Sequence, residues 1–120
     1  MIQYKLNDQS REKLVEIFPP TFPDVICHHI THIFDTSDEK YLPKNPTKVL
    51  VVGYAISDNI ECLVVSIDGR TNRPDSKLYH ITHSIDRAAG AKPVMSNDVL
   101  KGGYMKIEPI IIGVTVEIVK

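Results

Sequence analysis

The chain has no excess of charge. Its 120 residues carry 14 Lys and Arg against 15 Asp and Glu, a formal net charge of -1 with a pI near 6.5. Without a basic field it is not expected to hold long duplex nucleic acid by bulk electrostatics, whereas a small anion in a local site stays compatible with this balance. Cysteine is scarce as well. Cys27 and Cys62 both stand in apolar, strand-like runs, where a free thiol behaves as a small buried hydrophobe. The first residues do not resemble a signal peptide, so two reduced core thiols and a cytoplasmic location are expected rather than a disulfide framework. No apolar run is long enough to span a membrane, because the longest, Ile110 to Val119, is interrupted by Gly113, Thr115 and Glu117. Low-complexity segments are absent, and the length suits one domain, residues 1–120, able to bury a core without staples.

What the chain does have is a repeated word. His29-Ile30-Thr31-His32 recurs as His80-Ile81-Thr82-His83, 51 positions later (80 minus 29), and with His28 these words hold all five histidines. Val25-Ile26-Cys27 leads into the first and Leu78-Tyr79 into the second, so both read as strand. Alternation on a strand sets His29 beside Thr31 and His80 beside Thr82, with Ile30 and Ile81 facing the other way.

The rest of the chain reads as a frame for these words. Ile2 to Leu6 predicts a short strand, and Arg11 to Phe18 a helix capped by Asn7, Asp8 or Ser10 and ended by Pro19, Pro20 and Pro23. Asp35 to Pro46 is polar and reads as a surface loop, a candidate lid. Thr47–Ile56 and Ile60–Ile67 predict a hairpin turning at Ser57-Asp58-Asn59. Asp68 to Lys77 is a loop carrying Arg70, Arg73 and Lys77, which could meet phosphate beside the second word or could simply be solvated. Ser96 or Asn97 can cap a short helix ended by Gly102-Gly103, and Tyr104 to Lys120 is strand-like, broken or bent at Pro109 and again at Gly113. About six strands and one or two helices, without regular strand-helix alternation, predict an α+β fold with a mostly antiparallel sheet.

Imidazole is the side chain whose ordinary pKa lies nearest neutrality, so two facing one cleft can act as general base and general acid in one turnover. A hydroxyl two residues along, on the same face, can donate to a phosphoryl oxygen, and this chemistry needs no metal and no cofactor. Two words that carry the first three positions of the pattern His, hydrophobic, Thr or Ser, hydrophobic, with His32 and His83 at the fourth, in a small α+β chain, resemble the 2H phosphoesterase superfamily. That family includes RNA 2',3'-cyclic phosphodiesterases, phosphodiesterase domains of tRNA ligases and phage enzymes that cleave cyclic nucleotide signals. The resemblance implies a compact bilobal fold with pseudo-twofold symmetry. It also implies His29, Thr31, His80 and Thr82 as the catalytic tetrad, acting on a nucleotide or RNA end.

Of the two histidines, His80 is expected to be the base and His29 the acid. Tyr79 can stack on a base or pack in the core, and Thr31 and Thr82 are also ordinary strand formers. The substrate is either a 2',3'-cyclic phosphate attacked by water or a cyclic oligonucleotide attacked by its own 2'-hydroxyl. Two other readings stay open: a non-catalytic nucleotide-binding or protein-interaction module, and a metal site drawn from His28, His29, His32, His80 and His83.

Overall fold

The computed structural model describes residues 1–120 and shows an α+β fold built on one curled, antiparallel sheet of eight strands. In chain order the elements are β1 (Ile2–Leu6), α1 (Asp8–Ile17), β2 (Asp24–Val25), β3 (His29–Ile33), β4 (Val49–Ile56), β5 (Ile60–Ile67), β6 (His80–Ile85), α2 (Ser96–Lys101), β7 (Met105–Ile112) and β8 (Val114–Ile118). The strands lie in the order β7-β4-β5-β6-β3-β1-β8, with β2 pairing the far end of β6. The two histidine words are therefore β3 and β6, neighbours at the centre of the sheet. No helix is long and apolar enough to cross a membrane.

Local chemistry explains most of the boundaries. Asn7 caps α1 by accepting from the Ser10 amide at 2.8 Å, and the three prolines after Phe18 forbid its continuation. The expected hairpin forms as β4 and β5. The C-terminal tail breaks at Gly113 rather than at Pro109. Pro109 stays inside β7, an edge strand whose register against β4 is irregular, where a missing amide hydrogen is tolerated. Ser96 begins α2 but does not cap it with its side chain, because its hydroxyl is bonded to Thr82 instead.

The main core lies on one face of the sheet and gathers Tyr4, Leu6, Leu14, Ile30, Leu63, Val65, Tyr79 and Ile81. Ile30 and Ile81 are fully buried and pair directly across β3 and β6, each contributing about 1.5–3 kcal/mol of burial. A smaller cluster of Ala55, Cys62, Val64 and Leu100 packs α2 on the other face. Both cysteines are free and buried, and burial pushes the Cys27 thiol up to about 11 and the Cys62 thiol up to about 12.

Glu61 is almost completely buried with no cation beside it. Its carboxylate accepts from the Ser84 hydroxyl at 2.7 Å, the Thr21 hydroxyl at 3.0 Å, the Thr21 amide at 3.2 Å and the Tyr54 hydroxyl. Burial alone would push this carboxyl up. The donors from Tyr54, Ser84 and Thr21 outweigh burial and hold it below the usual range. The knot ties the segment after α1 to β4, β5 and β6.

Candidate active site

The pairing Ile30↔Ile81 decides the geometry of the site. In an antiparallel pair, one step along each strand sets Thr31 opposite His80 and His29 opposite Thr82. All four side chains line one cavity of about 680 Å³, on the sheet face opposite the main core. Arg73, Lys77, Asp75, Asp35, Asn97 and His32 supply its other polar lining.

His80 is buried, and its Nδ1–H donates to the Leu78 carbonyl at 3.0 Å. Because a carbonyl can only accept, the other ring nitrogen, Nε2, holds the free lone pair. Burial and the nearby Arg73 guanidinium lower the His80 pKa, against a partial upward pull from the Leu78 carbonyl. At neutral pH His80 is thus an uncharged imidazole with a bare nitrogen, the form a general base requires.

His29 is half-buried, and its Nδ1 lies 3.0 Å from Nδ1 of the exposed His28. Burial lowers its pKa, as do the His28 and His80 imidazoles, while Glu117 pulls it back up. The hydroxyls differ as well. Thr82 is tied to Ser96 Oγ at 2.9 Å and lies 3.4 Å from the Pro93 carbonyl, whereas the nearest partner of Thr31 is the Met1 sulfur at 3.7 Å. Thr31 therefore presents a hydroxyl with little internal competition.

The fourth residue of each word is a β-bulge. Between β5 and β6 the register passes from Cys62↔Thr82 to Glu61↔Ser84, skipping His83; between β1 and β3 it passes from Gln3↔Thr31 to Ile2↔Ile33, skipping His32. Each bulged histidine is spent on a structural bond. His83 is fully buried and donates Nε2–H to the Phe18 carbonyl at the end of α1, 2.7 Å away, leaving its Nδ1 without a partner. His32 stacks on Tyr79 with ring centroids 5.9 Å apart and its Nδ1 2.7 Å from the Tyr79 hydroxyl, at the cavity edge.

Two of the expected substrate contacts need correction. Tyr79 precedes His80 on the strand, so alternation turns it into the main core, where it is 4% exposed and cannot stack on a substrate base. Arg70 stands at the exposed exit of β5, bridged to Ile67, outside the cavity lining. Arg73 and Lys77 do line the cavity; Arg73 is forked onto Asp75, with Nε 3.0 Å from Oδ1, while Lys77 makes no salt bridge. Of the expected lid, residues 35–46, only Asp35 reaches the cavity.

The five histidines do not converge on one point, and no group of three or more His, Cys, Asp or Glu is placed to hold a metal ion. The exposed Phe34 on the rim is a lining residue that the sequence did not mark, whereas His28 stood out only as a metal-ligand candidate and Ser96 and Asn97 only as helix caps. Their places beside His29, beside Thr82 and in the cavity wall come from the kink before β3 and the docking of α2. Compared with models of known protein families, with curated proteins and with solved structures, the chain matches none of them.

Proposed function

We propose that the protein is a metal-independent phosphodiesterase of the 2H type, in which His80 deprotonates the nucleophile and His29 protonates the leaving oxygen. The observation that carries this reading is the Ile30↔Ile81 register, which brings both His-x-Thr pairs to the floor of one cavity. The bare Nε2 of His80 supports the base assignment. Thr31, and Thr82 once its hydroxyl turns from Ser96, would donate to the non-bridging phosphoryl oxygens, with Lys77 and Arg73 adding positive charge as negative charge develops. The repeated bulges about the central pair fit the bilobal, pseudo-twofold plan of that family. A cavity of about 680 Å³ suits a nucleotide, so a 2',3'-cyclic phosphate at an RNA end or on a mononucleotide is the favoured substrate.

The test is a panel of 2',3'-cyclic nucleotides, cyclic-phosphate RNA ends and cyclic oligonucleotides, assayed in excess EDTA. Turnover should persist, and His29→Ala and His80→Ala should each lower kcat about 10²- to 10⁴-fold, the range for one general acid or base. Near-normal turnover by either variant, or activity that EDTA abolishes and zinc restores, ends this reading. Binding of a nucleotide without turnover would favour the non-catalytic module.

A further inference from the structure

An acid that must give up a proton at neutral pH has to hold one, and a half-buried imidazole facing a second imidazole is a poor place for positive charge. The chain before β3 offers a way around this. β2 pairs β6 as Asp24↔Ile85 and Val25↔Ser84, sums of 109, whereas Ile30↔Ile81 sums to 111, so two extra residues are accommodated between β2 and β3. The kink centres on Cys27, a buried non-glycine residue at φ +38, a backbone conformation that side chains disfavour and that persists only when its surroundings enforce it. Its amide donates to the Thr82 carbonyl at 2.9 Å, and the Leu6 amide donates to the His28 carbonyl at 2.9 Å. Consecutive residues on a regular strand point apart. Here the kink lets the rings of His28 and His29 meet edge to face, with centroids 5.2 Å apart and Nδ1 to Nδ1 3.0 Å.

We propose that His28 is a positioning residue for the acid: its Nδ1–H donates to His29 Nδ1, holds the proton of His29 on Nε2 in the cavity, and keeps the positive charge on the exposed ring. This inference rests on the phosphodiesterase reading. Before turnover the pair carries three protons, two on His28 and one on His29 Nε2. As the phosphorus–oxygen bond breaks, the leaving oxygen takes the Nε2 proton and the bridging proton passes from His28 Nδ1 to His29 Nδ1. Both rings end neutral, and no cation forms in the half-buried position. His29 later takes a proton at Nε2 from cavity water, the bridging proton returns to His28, and His80 releases to water the proton it took from the nucleophile. The other groups facing His29 are His80 from β6, Glu117 from β8 and Lys5, its register partner on β1.

The experiment uses the full chain, with nitrogen-15 NMR of the histidine rings across pH and a pH-rate profile on a 2',3'-cyclic nucleotide. In the wild type His29 should show an Nε2–H and an accepting Nδ1. His28→Ala should lose that tautomer preference and lower kcat about 10- to 100-fold, with KM unchanged. His28→Asn, which keeps a donor but carries no charge, should restore the tautomer and not kcat, and added imidazole should rescue His28→Ala. An Nδ1–H tautomer on wild-type His29, or a wild-type profile in His28→Ala, overturns the proposal. If the wild type turns over nothing, the phosphodiesterase reading fails by itself, and the tautomer measurement still decides whether the pair is built as described.

Discussion

Replacing Thr31 and Thr82 separately with valine should split function from stability, because the two hydroxyls occupy different surroundings. Valine keeps the branched shape and removes only the hydroxyl. At Thr31 the sole internal partner is a sulfur 3.7 Å away, so the folded state loses almost nothing. In the bound state the substrate loses a donor to a charged oxygen, about 1.5–3 kcal/mol, which corresponds to roughly a 10- to 150-fold fall in kcat/KM. At Thr82 the hydroxyl also satisfies buried Ser96 at 2.9 Å. Thr82→Val should therefore lower kcat/KM by a similar factor and cost about 1 kcal/mol of stability, a fall in Tm of about 4 °C for a domain of this size. The assays are steady-state turnover of a 2',3'-cyclic nucleotide and thermal unfolding of each variant. Wild-type kcat/KM in Thr31→Val would remove that hydroxyl from the reaction, and equal destabilisation by the two substitutions would refute the assigned hydrogen bonds.

Two further predictions concern the fold that holds the site. Glu61→Gln keeps the size of the side chain but turns a charged acceptor of four donors into a neutral amide that must aim its own hydrogens at some of them. A loss of about 2–3 kcal/mol is expected in urea unfolding, and an unchanged midpoint would show that the knot does not hold the segment after α1. Stability should also depend on the cavity histidines: His29 and His80 have lowered pKa values when folded, so just below pH 6.5 the unfolded chain takes up protons that the folded chain refuses. Unfolding free energy should therefore fall as pH drops from 7.5 to 5.5, and the His29→Ala, His80→Ala double variant should flatten that slope. A wild-type slope that is flat or reversed over this window would contradict the lowered pKa values.

Much of the frame was legible residue by residue. The proline cluster after Phe18 ends α1 in any context, because it removes amide donors and blocks helical geometry. The β-branched runs of β4 and β5 around a polar turn form a hairpin from local information alone. The site was half legible. His29, Thr31, His80 and Thr82 could be grouped by strand alternation, but His32 and His83 were left between the cleft rim, where His32 stands, and the opposite face. Both are bulge residues, and a bulge depends on the neighbouring strand as much as on the residue itself. Tyr79 and Arg70 were misplaced for a related reason, since proximity in sequence to His80 does not decide which face of a sheet a residue reaches or where a loop directs it.

The sequence by itself determined the tools: two imidazole and hydroxyl pairs, each backed by an isoleucine, on strands that no charge excess or membrane span competes with. It could do so because the strand period is a local property. Only the tertiary structure decided that β3 and β6 are neighbours, in the register that sets Thr31 across from His80, and that a kink at Cys27 turns His28 onto His29. Those choices belong to pairing between segments about 50 residues apart and to the core around Ile30 and Ile81, where burial of both isoleucines selects one register over a slip that would expose them.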